Sequence, residues 1–544
     1  MRNNNLVYLS LLVVAGFLAW SPLAAQDLGS EEVEIIKEFD ARLIKTPRLG
    51  LRPDLPPLDT TTKRQTYNIL NTNLEVEYLP PKIRPIAMRR QKLAESFNHY
   101  VKLGGGFPSM FLGEGSFNLI TKSNFDLGLD VNHLSANNNN SLENQRFSGT
   151  NVKADGTYFF EKGFAVNGRV GYTLNNEYFY GYNELSDTLS FDSDNVRQRF
   201  SIFDIGASIF NGARTVADFN YFADVDAYFM EDNFAARENG FDLRLGGTKW
   251  FSEKHPLTIV LRTDFTNYRD TSDQNLNNFH LQPSFTYHGE TFTAKIGFNL
   301  TSNEDDFSIF PEVEGAAKII EGSLTAFVGA TGNLQKNNLR SLSAYNPYIE
   351  TRLTLQNSRF YDFYGGVRGT VEGIDYDARI GYKSVENLPL FLWNGDSSIV
   401  AFRTLYDTAN IVYINATVTA PLFDGFELVG NLTQRFYSLD REEDPWHLPA
   451  LTLNFTGIYT TLEDKLRLRA DLFFENGVLF LNTESNESET LNALFDVSIG
   501  AEYFFTKNIG AFAQINNLAN NERQRWNRYP ILGTNALVGI TAKF

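Results

Sequence analysis

The sequence predicts an all-β protein, a transmembrane antiparallel β-barrel of about 22 strands behind a short Pro-rich N-terminal segment. Three observations carry this. Long segments alternate apolar and polar residues at period 2. Aromatic residues make up 14% of the 544 residues, yet the mean hydropathy is -0.27. Polar connections of long and short length take turns along the chain. Strands that face lipid on one side need only every second residue apolar, and barrels gather aromatic residues at both membrane interfaces.

The chain opens with Arg2 and an apolar run from Leu6 to Trp20, followed by Ser21-Pro22-Leu23-Ala24-Ala25-Gln26. This order predicts a secretory signal over 1–26, cut beside Ala25 or Gln26. The run is shorter than the about 20 apolar residues of a spanning helix. The absence of cysteine removes an acyl anchor on that residue and any disulfide framework.

Residues 27–97 form a second region, with 12 Lys and Arg against 11 Asp and Glu. Pro47, Pro53, Pro56, Pro57, Pro80, Pro81 and Pro85 favour extended or irregular chain. A helix-like stretch from Glu31 to Ile44 and a strand-like one from Leu74 to Tyr78 interrupt it. Lys82, Arg84, Arg89, Arg90 and Lys92 read as an interfacial collar facing anionic groups. The region is expected to be periplasmic, either as a partial plug or as an arm that docks a periplasmic or outer-membrane protein partner.

The barrel is expected over 98–544. From Ala217 to Phe229, Phe219, Tyr221, Ala223, Val225, Ala227 and Phe229 share one face, with Asp218, Asn220, Asp224 and Asp226 on the other. Leu466 to Glu475 and Leu491 to Phe505 repeat the pattern. Charges at period 2 within long strands need water on that face, so a lipid exterior and a wet lumen are implied. Val225 is therefore expected against lipid, and Asp224 in a lumen that tolerates its reversal to Arg. Short turns such as Glu161-Lys162-Gly163, Glu372-Gly373-Ile374 and Phe423-Asp424-Gly425 are read as periplasmic. Long connections, including Ala136 to Ser148, Asn175 to Arg197, Asp232 to Gly240, Arg269 to Asn277, Gln335 to Arg359, Leu388 to Phe402, Ser438 to Pro449, Thr483 to Leu491 and Asn517 to Pro530, are read as extracellular.

At the chain's end, Ala536, Val538, Ile540, Ala542 and Phe544 line one face of a last strand. The order Asn516-Asn517-Leu518, Tyr529-Pro530, Gly533 and a terminal Phe544 resembles the end of TonB-dependent receptor barrels, and other segments resemble the plugless or short-plug barrels of Bacteroidota. The resemblance implies the cell outer membrane of a Gram-negative bacterium, contact with outer-membrane lipid and lipopolysaccharide, and delivery to the barrel-assembly machinery through Phe544. It covers about thirty residues in its motif, and the segment of about seventy residues ahead of the barrel is near half of a receptor plug. Glu32-Val33-Glu34-Ile35-Ile36 is the stretch nearest a TonB box, and an amphipathic helix explains it equally well.

Twenty-two strands at their usual spacing and tilt close a cylinder roughly 44 Å across, too wide for inward side chains to fill. Long loops such as Gln335 to Arg359 are expected to fold inward and help to occlude it. The formal charge of -17 excludes nucleic acid as a partner and suits cationic or neutral solutes.

No catalytic, cofactor or metal site is expected. His99, His133, His255, His280, His288 and His447 stand on separate segments with no metal-ligand spacing. Gly113-Glu114-Gly115-Ser116-Phe117 lies in a strand and is no nucleophile elbow. Asp192-Ser193-Asp194-Asn195 and Asp270 to Asn275 offer oxygen ligands but lack the spacing of a calcium loop. Trp393, Trp446 and Trp526 read as an outer aromatic girdle, with stacking on a surface partner as the alternative. The expected function is passage of an unidentified solute across the outer membrane by a barrel related to TonB-dependent receptors. The alternative is a non-conducting structural or assembly subunit of an outer-membrane complex.

Overall fold

The structure is a computed structural model describing residues 97–544, apart from 123, 187, 304, 305, 394, 396 and 522. The signal expected over 1–26, the TonB-box-like stretch, the basic collar and the rest of the Pro-rich segment up to 96 lie outside the described residues.

The described residues form one sheet of 22 strands, each antiparallel to its sequence neighbour, closed into a ring. The first strand, His99–Phe107, pairs with the last, Asn535–Lys543, in the register Tyr100↔Lys543, Leu103↔Ile540 and Phe107↔Ala536. A Cβ on Gly106 would strike the Ala536 backbone, so only glycine lets the two strands approach there. Phe544 continues the seam: its amide donates to the His99 carbonyl at 3.0 Å, and its own carbonyl accepts from His99 at 2.9 Å and Asn98 at 3.2 Å. Its ring lies 5.1 Å from that of His99. Among the described residues the ring thus has no strand edge, so wall amides pair across the ladder rather than facing hydrocarbon along an open edge.

The faces follow the alternation. Ile296 and Val328 are 67% and 66% exposed, while Leu537 and Thr541, one residue out of step with exposed Val538 and Ile540, are buried. Only lipid accommodates so broad an apolar exterior. At the end with the short turns, exposed Phe251, Tyr287, Phe292, Phe423, Phe505 and Phe544 form an aromatic girdle. Stacked pairs reinforce it, Phe160 with Phe164 at 4.3 Å and Phe423 with Phe426 at 4.7 Å.

Inward-facing charges are paired across strands. Arg169 (strand Phe164–Tyr178) binds Asp224 and Asp226 (strand Phe219–Asp232). Arg244 joins Asp224 at 2.5 Å and Asp242 at 3.4 Å, and Arg262 joins Asp242 at 2.5 Å and Asp264 at 3.1 Å. Asp264 also binds Lys336, from a strand four places farther around the ring, so this ladder ends in an ion pair between non-adjacent strands.

Two expectations need correction. Asp232 to Gly240 and Arg269 to Asn277 are not long loops: strands Phe219–Asp232 and Arg237–Phe251 join across 233–236, and strands His255–Arg269 and Asp273–His288 across 270–272. The latter hairpin is closed by Arg269 and Asp273, 2.7 Å apart. Their polar composition belongs to strands that run on beyond the membrane, where the outer face meets water. The geometry argues against the tolerance expected of Asp224→Arg, because the carboxylate lies between the Arg169 and Arg244 guanidiniums, and an arginine there would bring three together.

Val225 lies midway between Phe219 and Phe229 on the lipid face. Val225→Arg should therefore cost about 2 to 4 kcal/mol of folding stability, as arginine does near the bilayer midplane. Asp224→Arg should also destabilise, and Asp224→Asn far less. Urea titrations in lipid vesicles, read by the faster migration of unheated protein on gels, test the order. A tolerated Val225→Arg would put the register off by one residue.

Candidate functional site: a mouth closed by its own loops

The connections at the far end of the ring pack together into an apolar core. Leu339 and Leu342 of helix α1 (Leu339–Tyr345) join Phe179, Tyr182, Trp393, Phe402, Trp526 and Tyr529 from three other connections. Each buried aromatic of this kind contributes about 1.5 to 3 kcal/mol by leaving water. Stacking orients them: Tyr348 lies on Tyr529 with ring centroids 3.8 Å apart, and Tyr180 meets Tyr529 edge-on at 4.9 Å.

The segment 338–355 enters the bore and is fastened to the inner wall. Asn338 caps α1, accepting from the Ser341 amide at 3.0 Å, with the Ser341 hydroxyl accepting in return from the Asn338 amide. Fully buried Glu238, on the wall, accepts from the amides of Leu339 at 2.6 Å and Arg340 at 3.2 Å, and from the Tyr228 hydroxyl at 2.8 Å. A carboxylate at helical amides is a strong hydrogen-bond pairing. Arg340 reaches Asp204 at 2.7 Å. Farther along, Tyr268 donates to the Thr351 carbonyl, Gln274 donates to the Leu353 carbonyl at 2.7 Å and accepts from the Leu355 amide at 2.9 Å, and Asn278 and Asn357 bond reciprocally.

Segment 338–355 is tied in turn to the others. Ile349 and Phe402 form a parallel bridge, with the Phe402 amide donating to the Tyr348 carbonyl at 2.8 Å. Tyr529 donates to the Val400 carbonyl, and Tyr180 to the Pro530 carbonyl at 3.0 Å. Arg525 binds Glu475 on the wall at 2.8 Å, and donates to the His447 carbonyl at 3.2 Å and the Tyr345 hydroxyl at 3.1 Å. The expectation that Gln335 to Arg359 folds inward agrees with this geometry. The contact partners on the other connections had no signal in the sequence except an excess of aromatic residues, such as Tyr178-Phe179-Tyr180, in connections expected to be solvated.

Trp393, Trp446 and Trp526 are not a girdle. They are 5%, 3% and 5% exposed, inside the packed connections. His447 lies between the Phe402 and Trp526 rings, at 4.8 and 5.4 Å. Its Nδ1–H donates to the Phe391 carbonyl at 2.7 Å, and Nε2 accepts from the Asn527 amide at 3.3 Å. Burial, seconded by the Arg525 charge, pushes the imidazole down to about 3, so it is neutral at physiological pH. Of the other histidines, His99 sits at the seam, His133 bonds Thr150, His280 is buried in a strand, and His255 stacks on Tyr287 and accepts from the His288 amide at 3.1 Å. Asp194 pairs with Arg197, and among the described residues no group of three His, Cys, Asp or Glu could hold a metal.

No protein-family model and no curated protein sequence matches the chain. Solved structures do match its fold. The copper transporter OprC aligns with a TM-score of 0.61 at 12% identity, over 83% of this chain and 82% of that one. The ferric-catecholate import receptor Fiu of E. coli K12 gives 0.60 at 8% identity over 83% and 82%, and the pyoverdine outer membrane receptor FpvA of Pseudomonas aeruginosa PAO1 gives 0.60 at 10% over 84% and 80%.

Two outcomes test the closure. Glu238→Ala removes the acceptor of two α1 amides, each such bond to a charged group being worth about 1.5 to 3 kcal/mol. Amide hydrogen exchange over 338–355 should quicken at least tenfold, with the faster unheated gel migration of the barrel retained. For His447 the folded value lies below the ordinary 6.5, so the unfolded mouth binds the extra proton. The stabilisation it gives is complete above about pH 6.5 and is lost as pH falls toward about 3. Protection over 440–450 and 524–530, measured against the intrinsic exchange rate at each pH, should fall between pH 7 and 4, and His447→Leu should flatten that dependence.

The fold is that of TonB-dependent receptor-like outer-membrane barrels, and the apolar belt with its aromatic girdle suits a barrel that spans a membrane.

Proposed function

We propose that this protein is a gated transport barrel that passes a solute across the outer membrane when its loop-built mouth opens. The observation that carries the reading is segment 338–355, which crosses the bore and is held by wall residues Glu238, Tyr268, Gln274 and Asn278. A barrel that only scaffolds partners has no need of a wet, charge-lined lumen with a fitted closure. The import receptors and the transporter named above share the fold, which supports the same reading.

Other parts of the chain enter as part of the proposal. Residues 1–26 serve export, and 27–97 are a periplasmic segment that acts as a partial plug or as a docking arm. Phe544, exposed at the periplasmic end of the seam, serves recognition by the barrel-assembly machinery, and lipopolysaccharide meets the outer half of the belt.

Replacing 339–355 with a short Gly-Ser linker should raise single-channel conductance in planar bilayers several-fold and sensitise cells to bulky antibiotics. A replaced barrel that inserts normally yet stays electrically silent would refute the gate.

A further inference from the structure

Beneath the closed mouth the lumen holds a cavity of about 640 Å³, large enough for a small organic molecule. Its wall comes from the strands between Gln356 and Asn476, and its roof from Tyr345, Leu448, Pro449 and Arg525 of the packed connections. Arg379, Lys383 and Arg435 face it from the wall. Their cross-strand partners Asn415, Ile411 and Tyr413 lie on the same face, while Ile380, Tyr382 and Phe436 between them point to lipid. Gly381 leaves room for the Tyr413 ring, with which any side chain there would collide.

The charges here are arranged unlike those of the opposite wall. There, Arg169, Arg244, Arg262 and Lys336 each hold a carboxylate at contact distance. In the cavity Arg525 does so through Glu475 at 2.8 Å, and Arg379 more loosely through Asp377 at 3.5 Å. The Arg379 Nη2 donates to that carboxylate, while its Nε is buried with no hydrogen bond of its own. Lys383 rests over the Phe360 ring at 4.0 Å, and among the described residues neither it nor Arg435 forms an ion pair. The nearby Asp362 is engaged by Tyr413, whose hydroxyl lies 3.0 and 3.1 Å from its two oxygens. Four cations thus meet three carboxylates, Asp362, Asp377 and Glu475, and Lys383 and Arg435 are left without an ion pair inside a chain whose overall charge is -17. Unpaired cations on one wall of a low-dielectric chamber attract an anion from solution.

We propose that this cavity binds a small organic polyanion, such as a tricarboxylate, which Lys383 and Arg435 take as the counter-charge the protein does not supply, with the loosely paired Arg379 beside them. That this anion is the cargo rests on the transport reading; the binding does not. The local charge of the cavity is opposite to that of the whole chain, so the preference is set by these side chains and not by the net charge.

The test is calorimetric titration of citrate, and separately of inorganic phosphate, into the folded full-length protein in detergent at low salt. Citrate should bind saturably, one per chain, and added salt should weaken it. Arg435→Gln and Lys383→Gln should each weaken it at least tenfold, while Lys295→Gln, whose lysine pairs with Glu312 elsewhere on the wall, should leave it unchanged. Faster unheated gel migration confirms that each variant is folded, and Lys383→Gln carries the test if Arg435→Gln does not insert. No saturable citrate binding, binding indifferent to these variants, or phosphate binding alone would overturn the proposal. Citrate binding with an electrically silent loop-replaced barrel would sink the transport reading and leave the site standing. Conductance without citrate binding would do the reverse.

Discussion

The structure depends on closing the ring of backbone hydrogen bonds between the first strand and the last. In hydrocarbon an unpaired amide costs several kcal/mol, so a sheet of this size persists in a membrane only without edges. The glycine at 106 and the terminal Phe544 both serve that seam, one by letting two backbones approach and the other by extending the pairing to the end of the chain. From closure the rest follows. The outer face must be apolar, the inner face is free to be charged, and the strand number fixes a bore that side chains cannot fill.

The chain answers the last consequence with its own connections. They form an aromatic core at the mouth of the ring, with buried polar groups such as Asn144, Glu238, Asn338 and His447 set among the apolar ones. Those polar groups are fasteners rather than defects. Glu238 ends its charge on helix amides, and His447, kept neutral by burial, donates to a carbonyl and accepts from an amide. Both are buried, so both lose their function with a small displacement of the partner. Such a closure is stable while assembled and comes apart as a unit.

The wall was more legible in the sequence than the mouth. Alternation assigns Val225 outward and Asp224 inward without any structure, because a strand repeats every two residues and lipid and water tolerate opposite side chains. The strand number follows from counting connections. Segment 338–355 was legible as an occluding loop from the mismatch between a wide bore and a short N-terminal region. What the sequence did not disclose depends on contacts between residues far apart in the chain. Asp224 looked free and sits between Arg169 and Arg244. Trp446 and Trp526 looked interfacial and are buried. The polar run at 269–277 looked like a loop, since strands above the membrane lose the apolar face that marks them. The cluster of Arg379, Lys383 and Arg435 appears only when three strands are laid side by side.

The central claim is that connections from distant parts of the ring meet over the bore. The ring of Tyr348 on Tyr529 is the closest of these meetings, 181 residues apart in sequence and 3.8 Å apart in space. The chain has no cysteine, so the double variant Tyr348→Cys with Tyr529→Cys carries the only two thiols. Treated in native outer membranes with a short thiol cross-linker, it should form an intramolecular link that alters migration of the boiled protein, and neither single variant should. A double variant that is folded, labelled at both thiols and never linked would contradict the closed mouth.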